Sequence, residues 1–101
     1  MPAQHRTYNI KADLMDEWLT LFRDKVAPLH EKFGIMVRTA WVDREKSQFI
    51  WVREFTGEGT LEEQQERYVQ SPERAETIGD EPKRFIEAME VRLVEPVFPQ
   101  V

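Results

Sequence analysis

The chain has 101 residues, of which 41% are hydrophobic and 33% charged, and it contains no cysteine. This length predicts one domain over residues 1–101, with an ordered core from about 5 to 97, and the missing thiols exclude cysteine catalysis, cysteine-ligated zinc and iron–sulfur clusters. The net charge of −5 argues against nucleic acid and anionic membranes as partners, because both require a basic surface.

The beginning of the chain predicts a strand followed by a helix. Residues 6–11 alternate in polarity, and Asp13 is positioned to cap a helix. The helix should run to Gly34, since apolar residues recur at helical spacing. Pro28 lies inside this helix and lacks the N–H that would bond to the carbonyl of Asp24, so we expect a kink or a break there.

The middle of the chain predicts a hairpin and a second helix. Residues 35–43 and 48–55 are strand-like and are separated by four polar residues, which favours antiparallel pairing. Thr60 and Glu63 have the spacing of a capping box at the start of a helix that runs through Tyr68.

The last third of the chain predicts short helices and one strand. Ser71 and Pro72 have the residue types of an N-cap and a first helical position, and we expect this helix to end near Gly79. Residues 82–89 should form a further short helical piece, and residues 90–97 a final strand. The element order, strand-helix-strand-strand-helix-strand, predicts an α+β, ferredoxin-like βαββαβ fold with an antiparallel sheet.

Both faces of the predicted hairpin are apolar. Its second strand has Phe49, Trp51, Arg53 and Phe55 on one side, with Ile50 among the residues on the other. Two helices cover only one face of a sheet, so the aromatic face should remain uncovered and pack against a second copy of the chain. We therefore expect a homodimer with a cavity between its sheets.

The outer parts of the sheet are assigned to faces in the same way. Tyr8 and Ile10 should turn toward the helices, which leaves His5, Thr7 and Asn9 facing the cavity. In the last strand, Val91 and Leu93 should face the helices, and Arg92 and Val94 the cavity.

Six segments spread along the chain form a specific combination. They are Arg6-Thr7-Tyr8, Asp16-Glu17-Trp18-Leu19, Pro28-Leu29-His30-Glu31-Lys32-Phe33-Gly34, Ala40-Trp41-Val42, Phe49-Ile50-Trp51-Val52-Arg53-Glu54-Phe55 and Ser71-Pro72-Glu73-Arg74. Together they resemble the NIPSNAP family from about residue 6 to residue 96. Ala12-Asp13 departs from the Pro-Gly usual in the family, which changes only the turn into the first helix.

The resemblance implies the dimeric α/β-barrel superfamily. That superfamily includes cofactor-free antibiotic-biosynthesis monooxygenases, polyketide cyclases, muconolactone isomerases and haem-binding branches. His5 resembles the strand histidine that cyclase-type members use as an acid or base. The haem-degrading branch takes its axial histidine from a helix after the hairpin, and residues 60–89 contain no histidine, so the resemblance implies no haem.

Aromatic residues and two arginines are the candidate ligand-binding residues. Trp41, Trp51 and Phe55 could line a pocket for a flat aromatic or polyketide-like ligand, or could pack the dimer interface. Tyr68 could close the mouth of the cavity or serve as a core contact of its helix.

Arg53 lies between aromatic residues on a strand, where a cation is unfavourable without an anion. It could hold a substrate carboxylate or an enolate, or form a structural ion pair. Arg92 has the same two interpretations and lies nearer the end of the sheet, where it could extend to water.

His5 and His30 are the only histidines and therefore the natural candidates for acid–base catalysis near neutral pH. His30 fits an interaction with the end of its helix, and His5 lies at the start of the first strand. Two histidines 25 positions apart have no metal-ligand spacing, so we expect neither a metal nor another cofactor.

Two functional hypotheses follow. In the first, the protein is a soluble, cytoplasmic homodimer that binds a small, mostly apolar ligand between its sheets. Arg53, with Asn9 or His5, would then polarise an enol or phenol oxygen in a monooxygenase, cyclase or isomerase reaction. In the second, the protein is a non-enzymatic interaction or scaffold domain whose inter-sheet space is filled. No segment has the length of a membrane span or the pattern of a secretory signal.

Overall fold

Four antiparallel strands form one sheet in the computed structural model, which describes residues 1–98. The strands are β1 (Ala3–Ile10), β2 (Ile35–Asp43), β3 (Gln48–Phe55) and β4 (Ile86–Val94). Their order across the sheet is β2-β3-β1-β4, so the first strand is central and β2 and β4 form the edges.

Helical segments connect the strands and cover one face of the sheet. They are α1 (Met15–Leu21), a π-helical turn (Phe22–Val26), α2 (Ala27–Lys32), α3 (Leu61–Val69), α4 (Pro72–Thr77) and a 3-10 turn (Glu81–Arg84). The predicted α+β, ferredoxin-like fold is confirmed by this order and by the antiparallel pairing of β1 with both β3 and β4.

Pro28 is accommodated by the π-helical turn that precedes it. The N–H of Ala27 bonds to the carbonyl of Phe22, five residues back, and Pro28 then occupies the first turn of α2, where an N–H is not needed. The expected disturbance at Pro28 is therefore a local widening of the helix.

The helix signals beyond residue 30 are confirmed. Gly34 has φ +74° at the end of α2, and Thr60 and Glu63 bond reciprocally as a capping box. The Ser71 hydroxyl accepts a hydrogen bond from the N–H of Arg74. The prediction for Asp13 was wrong, because this residue has φ +67° in the turn before α1 and its side chain caps no helix.

The final strand begins earlier than predicted. Residues 86–89 belong to β4 rather than to a helix, because Ile86 and Met89 pair with Ile10 and Tyr8 of β1. The helical character of this region is confined to the 3-10 turn.

The aromatic side of β3 faces the helices, which corrects the prediction that it is uncovered. Phe49 and Trp51 are fully buried, and the Phe22 ring lies 4.6 Å and 5.0 Å from their ring centroids. The helices contribute Trp18 and Phe22 to the layer between helices and sheet, and the large rings of β3 fill this layer better than an aliphatic side chain would. Ile50 and Val52 point to the other face of the sheet.

A β-bulge explains the position of Trp41. The pairing of β2 with β3 shifts at Arg38, so Val37 lies opposite Arg53 whereas Trp41 lies opposite Ile50. Trp41 is therefore on the uncovered face, where 67% of its surface is exposed. Without the bulge, simple alternation would place Trp41 on the same side as Val37.

Candidate functional site

A cavity of about 300 Å³ lies between the helical layer and the sheet. Its sheet side includes Tyr8, Trp51 and Arg53, and its helical side includes His30 and Tyr68. Because residues from every strand except β2 contribute, the cavity depends on the complete fold rather than on one loop.

Arg53 is the central polar group of this cavity. The residue is 5% exposed, and its Nε donates to Gln4 Oε1 at 2.9 Å and its Nη1 to His30 Nε2 at 2.8 Å. The acceptors are neutral, and the guanidinium also lies 5.7 Å and 5.3 Å from the ring centroids of Trp51 and Phe55. Burial, followed by the nearby charge of Arg6, lowers the pKa of Arg53 to about 10, so it remains a cation at neutral pH.

His30 is held as a neutral imidazole. Its Nδ1 donates to the carbonyl of Val26 at 2.8 Å, which leaves Nε2 as an acceptor for Arg53. Burial and the Arg53 charge lower the pKa of His30 from 6.5 to about 3. His30 is consequently a positioning group for Arg53, and not a proton donor near neutral pH.

Gln4 and Gln65 extend the network to β1 and α3. Gln4 Oε1 accepts from Arg53 and also from Arg6 Nη1 at 2.9 Å, and Gln4 Nε2 donates to Gln65 Oε1 at 3.0 Å. Arg6 also donates through Nε to the Tyr8 hydroxyl at 2.9 Å. These bonds fix two guanidinium groups on one side of the sheet.

Several buried donors around the cavity have no hydrogen-bond partner among residues 1–98. They are Trp18 Nε1, Trp51 Nε1, the Tyr68 hydroxyl and Arg74 Nε, and all four side chains line the cavity. Buried polar groups are normally satisfied, so a cluster of unsatisfied donors is unusual for a packed core. Burial raises the pKa of Tyr68, and the Arg74 guanidinium opposes that rise through its charge and its proximity to the Tyr68 hydroxyl, although the two groups form no hydrogen bond of good geometry.

The residues predicted to form one inter-sheet site are divided by the sheet. Trp51, Arg53 and Tyr68 line the cavity on the helical side, and Phe55 is buried beside Arg53. The prediction that these residues face the uncovered side was wrong, because the aromatic side of β3 packs against the helices. Tyr68, 2% exposed, is a core contact of α3 that packs on His30 with ring centroids 4.3 Å apart.

The remaining predicted residues lie on the uncovered face. The register aligns His5 with Val52 and Arg92, and Thr7 with Ile50, as the alternation of β1 indicated. Asn9 accepts from Gln48 Nε2 at 3.0 Å. These side chains cannot act together with Arg53, because the sheet separates them.

Gln4, Arg6, Gln65 and Arg74 belong to the site although the sequence pattern did not single them out, and His30 was predicted only as an acid–base candidate or as a contact of its helix end. A signal for two of them was present, because Gln4 and Arg6 share the parity of Tyr8, which was assigned to the helical side. His30 was assigned to its helix end, whereas its partner is on β3.

The uncovered face has a smaller depression of about 220 Å³, lined mainly by apolar groups that include Ala3, Val52 and Val94. At its edge the buried Glu54 carboxylate accepts from Arg38 at 2.7 Å. The β-bulge brings Arg38 to this carboxylate, so the only buried acidic side chain of residues 1–98 is neutralised within the chain.

The chain matches the family model described as NIPSNAP over residues 3–98. An uncharacterized NIPSNAP domain protein from Burkholderia xenovorans is 19% identical, with 99% of this chain and 100% of that chain covered and a TM-score of 0.79. A NIPSNAP family protein from Agrobacterium tumefaciens is 21% identical, with coverages of 95% and 92% and a TM-score of 0.74.

The fold is shared more widely. A putative antibiotic biosynthesis monooxygenase from Bacteroides thetaiotaomicron is 12% identical, with coverages of 99% and 92% and a TM-score of 0.73. No curated protein matches the chain. Within residues 1–98, no three histidine, aspartate or glutamate side chains are grouped to hold a metal ion, and no helix is long and apolar enough to cross a membrane.

Proposed function

The chain belongs to the NIPSNAP family, and we propose that it binds a small aromatic ligand in the cavity between the helices and the sheet. The observation that carries this proposal is the set of unpartnered buried donors on side chains that line one cavity of about 300 Å³. This volume is at the lower end of the range for small-molecule sites and suits a ligand of one or two rings.

The lining supports an aromatic ligand. Tyr8, Trp18, Trp51 and Tyr68 supply four aromatic rings, which offer flat and edge surfaces to a conjugated system. The indole N–H of Trp51 and the hydroxyl of Tyr68 could donate to a ligand oxygen after small side-chain shifts, which would satisfy groups that are unpaired in the free protein.

The proposal is for binding rather than acid–base catalysis. The pKa of His30 is about 3 and that of Tyr68 is raised, so neither group exchanges protons readily near neutral pH. The named activity of the Bacteroides protein is not carried over, since the likeness at 12% identity concerns the fold.

We further propose that the functional unit is a homodimer formed through the uncovered sheet face. Trp41 is 67% exposed there, next to the half-buried Ile50 and Val52 on the neighbouring strand. A second copy that packs sheet against sheet would cover this apolar surface. The ligand cavities would then lie on the two outer sides of the joined sheets.

Ligand binding can be tested by tryptophan fluorescence, because Trp18 and Trp51 line the cavity. The full chain is titrated with two-ring aromatic compounds and with saturated analogues of the same size. We expect quenching and saturation with the aromatic series. Val69→Trp places an indole at the cavity and should abolish binding, whereas Val97→Trp, at an exposed position away from the cavity, should bind like the wild type.

Absence of binding by any aromatic compound would overturn the ligand proposal and leave the interaction-domain hypothesis. Equal binding by Val69→Trp would show that the ligand lies elsewhere.

Sedimentation velocity tests the dimer. Trp41→Glu should shift the protein to a monomer, whereas Val91→Glu, on the helical side of the same sheet, should not. A wild type that is monomeric at micromolar concentration would refute this part of the proposal.

A further inference from the structure

The cavity lining is strongly cationic in a chain whose net charge is −5. Arg6, Arg53, Arg74 and Lys83 line it, and no aspartate or glutamate among residues 1–98 does. Lys83 lies near Asp80, 3.5 Å from its carboxylate, so the uncompensated charge belongs to the three arginines.

Five of the six arginines outside the cavity behave differently, and the sixth, Arg67, donates to the Glu58 carbonyl. Carboxylates within 4.0 Å form ion pairs with Arg23, Arg38, Arg44, Arg84 and Arg92. None of the three cavity arginines has an ion pair within residues 1–98. The carboxylates of residues 1–98 therefore pair with arginines at the surface, and none of them pairs with an arginine of the cavity.

The hydrogen bonds of the cavity arginines go to neutral and weak acceptors. Arg53 bonds to Gln4 and His30, as described above. Arg6 Nη2 reaches only the thioether sulfur of Met89 at 3.6 Å, and sulfur is a poor acceptor. Arg74 Nε is unpartnered, and its guanidinium lies 5.5 Å from the Tyr68 ring centroid.

The three cations are close enough to influence one another. Arg6 and Arg74 both lower the pKa of Arg53 and of His30 by direct charge interaction. Concentrating like charges in a partly dry space is unfavourable, and one anion placed among them would reverse that cost.

Given the binding function proposed above, we propose that the ligand is an aromatic carboxylate, with its carboxylate at Arg6 and Arg74 and its ring in the aromatic part of the cavity. Guanidinium groups bind carboxylates through paired N–H donors, and they stack on flat rings. Each of the three arginines already lies within 6 Å of the centroid of an aromatic ring. The Nη2 group of Arg6 now points an N–H at Met89 Sδ, and a carboxylate oxygen of the ligand would take the place of that sulfur.

Arg53 has a different role from the other two arginines. Its Nε and Nη1 are bonded to Gln4 and His30, and its Nη2 lies 3.5 Å from Gln65 Oε1, so we assign it the role of a fixed positive charge beside the ligand rather than that of the main contact. His30 contributes by accepting from Arg53 without adding a charge of its own.

The test compares 2-naphthoate with 2-naphthamide, which share shape but differ in charge. Isothermal titration of the full chain should give an affinity about tenfold or more higher for the carboxylate, the factor expected from one charge-assisted hydrogen bond. The affinity for 2-naphthoate should fall several-fold between about 50 and 500 mM NaCl, while that for 2-naphthamide should not.

Two variants locate the anion. Arg74→Gln should reduce the preference for 2-naphthoate over 2-naphthamide by about tenfold. Arg84→Gln removes a surface ion pair with Glu17 and should leave that preference unchanged. If Arg74→Gln does not fold, Arg6→Gln is the second cavity variant. It should likewise reduce the preference for 2-naphthoate over 2-naphthamide.

The outcomes separate this inference from the function on which it rests. Equal affinities for 2-naphthoate and 2-naphthamide would overturn the charge proposal and leave the aromatic binding site intact. If neither compound binds, nor any other aromatic compound, the proposed function itself is wrong. Inorganic phosphate that competes as strongly as 2-naphthoate would show a general oxyanion site and would also overturn the inference.

Discussion

The clearest quantitative prediction concerns the pH dependence of stability that arises from His30. In the unfolded chain this residue should titrate with a pKa of about 6.5, whereas in the folded protein its pKa is about 3. At pH values between these two pKa values, the folded state therefore binds fewer protons than the unfolded state. The contribution of His30 to stability is fully present above pH 6.5 and is lost as the pH falls toward 3.

The magnitude follows from the two pKa values. Between pH 7 and pH 5, protonation of His30 in the unfolded chain should lower the free energy of unfolding by about 2 kcal/mol. No solvent screening reduces this effect, because His30 is 3% exposed. The main cause is the burial of the imidazole, and the second is the charge of Arg53, whose N–H group would oppose a protonated Nε2.

Urea denaturation at pH 7 and pH 5 measures this contribution. His30→Gln keeps an amide that can accept from Arg53 but removes the titration, so its difference between the two pH values should be about 2 kcal/mol smaller than that of the wild type. His5→Gln is the matched control and should keep the wild-type difference. If His30→Gln loses as much stability as the wild type between pH 7 and pH 5, His30 is not held neutral in the folded protein.

Three further predictions concern the fold. Phe49→Ala should lower the free energy of unfolding by about 3 to 5 kcal/mol, and a loss below about 1 kcal/mol in urea denaturation would contradict the burial of the aromatic face. Thr60→Ala should cost about 1 kcal/mol through the lost capping box, whereas Thr60→Ser should retain nearly all of it. Gly34→Ala should cost about 1 to 2 kcal/mol and lower Tm, because its φ is +74° and the new Cβ would lie 3.3 Å from the Gly57 backbone; an unchanged Tm would show that this turn relaxes freely.

The fold could be predicted because its signals are local. The capping box at Thr60, the Ser71 N-cap and the glycine at position 34 each act within a few residues, and each was found in the structure. The boundaries of β4 were less accessible, since the strand state of residues 86–89 depends on pairing with β1, far away in the sequence.

The faces of the sheet illustrate the limit of pattern reading. Alternation correctly grouped Phe49, Trp51, Arg53 and Phe55, but alternation does not reveal which group the helices cover. The face that Trp41 occupies can be predicted only if the bulge at Arg38 is known, and nothing in the local sequence marks that bulge.

The candidate site could be predicted only at its centre. Arg53 was identifiable because a cation among aromatic residues requires an explanation. Its partners come from β1, α2 and α3, and they meet only in the folded chain. Long-range convergence of this kind leaves no spacing in the sequence.

The π-helical turn before Pro28 sets the angular phase of the helix that contains His30. In an uninterrupted α-helix, His30 would lie about 120° around the axis from Trp18, at the margin of the buried side. The π-helical turn takes up one extra residue, which rotates the following segment back by about 100° and brings His30 to nearly the same side as Trp18. Conversion of this turn to α-helix at full chain length would thus rotate the imidazole away from Arg53, whereas deletion of one residue between positions 22 and 26 would restore a regular α-helix and leave His30 on nearly the same side as Trp18.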